Sequence, residues 1–113
     1  MALHINGNTI ETDDEGFLVD PTDWNRDVAQ AIADELNIEM EESHWEVVEW
    51  VRAYYEQNQI VPEARHLLKA LRERHGKERA SRRYLYQLFP YGYGQQACRI
   101  AGTRKPLKLM LDV

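Results

Sequence analysis

The chain has 113 residues, 43% of them hydrophobic and 29% charged, with a formal net charge of −5. That length suits one domain with a real core over residues 1–113. The composition is unlike that of a disordered chain, and no stretch approaches the roughly 18 apolar residues needed to span a bilayer, so no membrane role is expected. A single cysteine, Cys98, cannot form an internal disulfide, and the opening residues lack the basic start and apolar run of a secretory signal, so a reducing cytoplasm is the expected setting.

The first twenty residues read as a β-hairpin region. Asn6-Gly7 tolerates the positive φ angles of a tight turn and lies between short runs containing Leu3, Ile5, Thr9 and Ile10. A second turn over Asp13 to Gly16 leads into Phe17-Leu18-Val19, an expected third short strand. Such a hairpin is too small to stand alone and must pack on helices.

From residue 22 to 102 the pattern is helical. Thr22 or Asp23 is the expected N-cap of a first helix carrying Trp24, Val28, Ala29, Ile32, Ala33 and Leu36 on its apolar side. Ser43 and Glu46 stand at capping-box spacing at the start of a second, central helix, with Trp45, Val48, Val51 and Tyr55 along one side. Pro62 suits the first turn of a third helix closing at Gly76, and Ser81 can cap a short fourth helix ended by Pro90. A fifth helix is expected from about Gln95 to Ala101, with Gly102 as its stop. Residues 103–113, "TRKPLKLMLDV", contain Pro106 and no cap, and read as a docked or mobile C-terminal arm.

Charge divides along the chain. Residues 1–63 carry a net −14 and residues 64–113 a net +9. Two readings fit: opposed faces neutralising each other, or a basic face for a partner. The basic residues of segment 62–88, Arg82 and Arg83 among them, surround a glycine-containing turn between two helices. That arrangement fits an ordinary helical hairpin, a docking surface for an acidic protein, or a helix-turn-helix that holds DNA or RNA through phosphates.

Cys98 falls mid-way along the fifth expected helix beside Arg99. Nearby cations and a helix dipole would lower the pKa of an accessible thiol there, whereas burial would make it a small hydrophobe. His4, His44, His66 and His75 lack metal-ligand spacing with each other or with Cys98, so no metal or other cofactor is expected. A Cys98–His66 nucleophile pair would need the fold to bring the two into hydrogen-bond contact. The glycines at 92 and 94 read as a turn, since they lack the lysine and hydroxyl residue of a phosphate loop.

Several motifs in order give the chain a resemblance. They are "DEGFL", the "DW" at Trp24, "HWEVVEWVRAYYEQNQIVPEARHLLKAL", "YLYQLFPYG", and "QACRIAG" followed by Lys105-Pro106. Through them the chain resembles the DsrC/TusE family, the gamma-subunit-like sulfur carriers of dissimilatory sulfite reductase and the related tRNA 2-thiouridine relay proteins. The resemblance implies a mainly α (α+β) fold, a small orthogonal bundle of about five helices with an N-terminal β-hairpin and a C-terminal arm. It also implies a sulfur-relay function with protein partners of a sulfur-transfer or sulfite-reductase system, and no cofactor. Family members usually carry a persulfide-accepting cysteine near the end of the arm, and one branch has a second, inner cysteine eleven residues earlier. Cys98 matches the inner position, while the outer one is Leu109 and the next-to-last residue is Asp112.

The expected role is therefore a modified or non-catalytic one, with Cys98 as the candidate sulfur acceptor and Arg82, Arg83, Arg99 and Lys105 as partner-binding residues. The alternatives are a regulatory DNA- or RNA-binding protein using segment 62–88, and a sulfurtransferase with Cys98 as its own nucleophile.

Overall fold

The computed structural model describes residues 2–105; Met1 and residues 106–113, including Pro106, Leu109 and most of the expected arm, lie outside the described residues. Strands β1 (Ala2–Ile5) and β2 (Asn8–Glu11) pair antiparallel with Leu3 opposite Ile10. Asn6 (φ 52°) and Gly7 (φ 82°) form the expected turn, whose left-handed pair matches the natural twist of a two-residue hairpin. Leu3 is buried and Ile5 and Ile10 pack against the core, so one face of the hairpin lies on the helices. The expected third strand is reduced to a single bridge, Thr12 with Leu18. Asp13 is the reason: its Oδ1 accepts from the amides of Glu15 (2.8 Å) and Phe17 (3.0 Å), which curls the chain and delivers Phe17 and Leu18 into the core.

Helix starts differ from the sequence expectation in an instructive way. Residues Pro21–Asp23 form one 3-10 turn capped by Asp20, and helix α1 (Arg26–Glu35) begins later, capped by Asn25, whose side chain accepts from the Val28 amide at 2.9 Å. Thr22 and Asp23 are therefore not its caps. Helix α2 (Glu42–Asn58) is capped by Glu41, whose own amide donates to His44 Nδ1 at 3.2 Å; Ser43 lies inside the helix. Helix α3 (Ala64–His75) repeats the device with Glu63 and His66 at 3.3 Å, which places Pro62 ahead of the cap instead of in the first turn. In both cases a histidine lone pair accepts the cap amide that a glutamate carboxylate would accept in the usual box.

Helix α4 (Arg82–Leu88) is capped by Ser81 as expected, with Ser81 Oγ accepting from the Tyr84 amide at 3.1 Å. The fifth helix starts two residues earlier than expected and is wider: Tyr93–Cys98 form a π-helical segment, and Arg99 and Ile100 continue it in α geometry. Gln96 closes over its start, accepting from the Tyr91 amide at 3.0 Å. Gly102, at φ 68°, ends it as expected.

The core joins Val28 and Ile32 of α1, Val47, Val48 and Val51 of α2, Leu67 and Leu71 of α3, and Leu85 and Phe89 in and after α4. The π segment and its extension add Ala97, Cys98, Ile100 and Ala101. Each large apolar side chain removed from water here contributes about 1.5–3 kcal/mol. Trp45 and Trp50 sit at the edge of this core, half-buried. The result is the expected mainly helical bundle of about five helices with an N-terminal hairpin.

Candidate functional site

Cys98 is fully buried at 0% exposure. Its one described polar neighbour is the Tyr93 hydroxyl, which donates to the Pro62 carbonyl at 2.5 Å. That hydroxyl is thus anchored on Pro62, across the chain from the thiol's own segment. Burial pushes the Cys98 thiol up to about 12, outweighing an opposing pull from the Tyr93 hydroxyl. Burial likewise holds the Tyr93 phenol well above the usual tyrosine range. At neutral pH the thiol is protonated, and a protonated thiol is not a nucleophile.

Of the two readings left open for Cys98, burial holds, and Arg99, the cation that would lower the pKa of an accessible thiol, is engaged elsewhere. Its Nε donates to the Gly16 carbonyl at 3.2 Å and its Nη2 lies 3.9 Å from Glu35, so the guanidinium serves the N-terminal loop. Lys105 pairs with Glu15 on the same loop, and that carboxylate raises the lysine's pKa. Arg82 and Arg83 are exposed on α4 and enter no described hydrogen bond or ion pair. No described contact joins these four residues into one site.

The histidines have local tasks. His44, with Nδ1 accepting from Glu41, donates through Nε2 to the Leu88 carbonyl at 3.0 Å and links the start of α2 to the end of α4. His66 stacks on Tyr54 with centroids 5.8 Å apart, and His75 meets Glu46 at 2.7 Å. No described hydrogen bond joins His66 to Cys98. Among the described residues no cluster of His, Cys, Asp or Glu could hold a metal ion, and no helix is long and apolar enough to cross a membrane. Several bases of segment 62–88 are already paired, Arg65 with Glu63 and Arg74 with Glu46.

The residue that sequence reasoning missed is Arg52. It is 7% exposed on the core side of α2. Its Nη1 donates to the carbonyls of Gly102 (3.1 Å) and Ala101 (3.3 Å), and its Nη2 to that of Pro21 (2.9 Å). The guanidinium also lies over Trp24, 4.9 Å from the ring centroid, and Trp24 Nε1 donates to the Ile100 carbonyl at 2.8 Å. A cation on the last carbonyls of a helix is well placed against the negative end of its dipole. The signal was present: Arg52 stands four residues after Val48, in register with the buried stripe, where an unpaired charge is not tolerated.

Beside this clamp, where the described chain ends at Arg104 and Lys105, lies a groove of about 360 Å³. Tyr54, Tyr55, Ile60, Val61 and His66 give it a largely apolar wall. Pro62, which receives the Tyr93 hydroxyl, stands between two of its lining residues, Val61 and Glu63.

A hairpin-bearing helical bundle that turns a buried cysteine segment into a clamped C-terminal root defines a class of small α+β protein shared with solved structures. The oxidized gamma-subunit of dissimilatory sulfite reductase (DsrC) from Archaeoglobus fulgidus superposes with a TM-score of 0.87 at 33% identity, covering 95% of this chain and 97% of that one. Allochromatium vinosum DsrC gives 0.84 at 43% identity with the same coverage. The sequence model for "DsrC like protein" matches residues 4–110, and the chain belongs to that family. Among curated relatives, the sulfurtransferase TusE of Yersinia pestis is 43% identical over 106 residues, 94% of this chain and 97% of its own length. The TusE homolog of Haemophilus influenzae is 43% identical over 108 residues, 96% and 99% of the two chains. Nothing in these matches supports the nucleic-acid reading of segment 62–88.

Proposed function

We propose that this chain is a sulfur-relay protein, a single domain that docks with protein partners of a sulfur-transfer or sulfite-reductase system in a modified or non-catalytic form. The observation that carries this reading is the family match at 4–110, supported by relatives named as sulfurtransferases over nearly their whole length. The modification lies in the thiols: the 113 residues hold one cysteine, and the position eleven residues after it is Leu109. Arg82 and Arg83, exposed on α4, are the partner contacts best placed for an acidic surface. Lys105 and Arg99, already engaged with Glu15, Gly16 and Glu35, contribute after those contacts exchange.

Cys98 is the sulfur acceptor in this reading, and only in an opened state. Its thiolate attacks the outer sulfur of a donor persulfide; the donor's S–S bond breaks, a new S–S bond forms on Cys98, and the donor leaves as a thiolate that takes up a proton. Incubation with a persulfide donor followed by intact-mass measurement tests this. A gain of about 32 Da, one sulfur atom, that is absent in Cys98→Ser supports transfer. An unmodified Cys98 in the native protein leaves docking as the whole function, and failure to bind any sulfur-transfer partner would remove the reading.

A further inference from the structure

The turn that follows α4 holds its backbone fast and leaves one large ring in water. The Phe89 carbonyl accepts from the Gly92 amide at 2.9 Å, so residues 89–92 form a β-turn with Pro90 at its second position, where the fixed proline φ suits it. Both ends are tied down. Phe89 is fully buried, the Leu88 carbonyl accepts from His44 Nε2 at 3.0 Å, and the Tyr91 amide donates to Oε1 of the buried Gln96 at 3.0 Å. The backbone of Tyr91 is therefore fixed, yet its side chain is 80% exposed.

A lone exposed tyrosine needs no explanation. Tyr91 is not alone: of the four large hydrophobic side chains exposed among the described residues, two, Tyr86 and Tyr91, fall in this short stretch. Tyr86 stands on α4 four residues after Arg82 and three after Arg83, so the three are neighbours on one side of the helix. Residues 77–91 carry four basic side chains, Lys77, Arg79, Arg82 and Arg83, against one acid, Glu78. All four are exposed, and none of these side chains enters a described hydrogen bond or ion pair. Aromatic rings and arginines are the side chains enriched at the centres of protein interfaces. A ring whose backbone is already fixed also loses little freedom on binding.

We propose that Tyr91 anchors the docking surface for an acidic protein partner: its ring packs against an apolar residue of a partner segment whose flanking carboxylates meet Arg82 and Arg83. This deepens the relay reading above and rests on its protein-docking half. The charges set the sign of the partner and the ring sets its register, because the arginines attract any acidic surface whereas only a segment with a well-placed apolar side chain covers Tyr91. Gln96, which holds the Tyr91 amide, lies in the same π segment as Cys98. A partner seated on Tyr91 is thus one hydrogen bond from the segment that must open for sulfur to reach the thiol.

The probe is a synthetic peptide with a Leu-Trp pair between two pairs of glutamates, titrated into the full chain and followed by NMR. It should move the ring resonances of Tyr91 and Tyr86 and the guanidinium resonances of Arg82 and Arg83. Tyr91→Ala should weaken binding about fivefold or more, the loss that marks an anchor, and Tyr91→Phe should bind as the native protein does. In about 1 M salt, where the Debye length is about 3 Å, the losses from Arg82→Ala and Arg83→Ala should vanish while that from Tyr91→Ala remains. Because the ring is exposed, Tyr91→Ala should unfold at the native denaturant midpoint, which separates weaker binding from lost folding. Absence of peptide binding overturns the proposal, as does unchanged affinity in Tyr91→Ala or a shift pattern confined to other bases such as Arg65 and Lys69. Tighter binding of oligouridylate than of the peptide, lost in the same variant, overturns it in favour of a nucleic-acid surface. No sulfur enters these readouts, and Cys98→Ser should bind the peptide like the native chain. A protein that takes up sulfur but ignores the peptide therefore removes the anchor and leaves the relay.

Discussion

Arg52 Nη1 donates to the Gly102 carbonyl, 3.1 Å away and 50 residues later in the sequence. The same guanidinium holds Ala101 and Pro21, so one side chain joins the middle of α2, the approach to α1 and the root of the C-terminal segment. Arg52→Ala strands three carbonyls. It should lower stability by about 2–4 kcal/mol in urea unfolding, with Arg52→Lys falling between because an ammonium cannot span the same acceptors. A loss below about 1 kcal/mol would show that the clamp is not structural.

Gly102 is the second fixed point of that root. A Cβ there would stand 2.3 Å from Trp24 Cδ1, on a backbone at φ 68°. Gly102→Ala should therefore cost more than the roughly 1–2 kcal/mol of a left-handed alanine alone and should change the Trp24 environment. Gly7→Ala, at φ 82° with open space around it, should cost only the backbone part. Equal losses in the two variants would contradict the packing argument.

Cys98 makes stability depend on pH above the ordinary thiol range. Its folded pKa, about 12, lies above the ordinary 9.0, so between those values the folded state binds more protons than the unfolded one. Its contribution is complete below pH 9 and falls as pH rises toward 12, by up to about 1.4 kcal/mol per unit. Tyr93, also raised, adds a similar loss above pH 10. Unfolding curves at pH 8, 9, 10 and 11 should thus separate the two: Cys98→Ala flattens the fall between 9 and 10 and leaves the part of the fall above 10 that belongs to Tyr93.

The burial of that thiol has a kinetic counterpart. Alkylation of Cys98 in the native protein should be at least about a hundredfold slower than in urea, because an opening free energy above about 2.7 kcal/mol must be supplied first. Tyr93→Phe removes the hydroxyl that bonds Pro62 and should speed alkylation with little denaturant dependence, the mark of local opening. A rate in Tyr93→Phe that follows global unfolding would mean that Cys98 is reached only through the unfolded chain.

The exposed pair on α4 gives the contrasting case. Arg82→Ala and Arg83→Ala touch no described polar partner, and each should change stability by no more than about 0.5 kcal/mol. Their effect should appear instead as weaker, less salt-sensitive association with an acidic protein partner. Unchanged partner affinity in the double variant would remove α4 from the docking surface.

Much of the architecture was legible in sequence because its signals are local. Asn6-Gly7 states its own turn, Ser81 its own cap, and the valines of α2 their own face. The caps at Glu41 and Glu63 were missed since the acceptor is a histidine three residues on, outside the serine- or threonine-led box. The π segment was read as an ordinary helix because period alone does not distinguish a widened turn. Cys98 was left between reactive and buried, and only tertiary packing could decide, for its burial comes from elements distant in sequence, with Tyr93 anchored 31 residues away at Pro62. Arg52 was readable in principle as a lone charge in an apolar stripe, but its three acceptors are brought together only by the fold.

The clamp at residues 100–102 also separates two design problems. Because Trp24 and Arg52 hold the carbonyls of Ile100, Ala101 and Gly102, whatever peptide follows Lys105 is launched from a fixed mount whose geometry owes nothing to that peptide's own sequence. The body and its terminal cargo are thus free to diverge independently: a graft of a different eight-residue ending would change what is presented while leaving its point of departure in place.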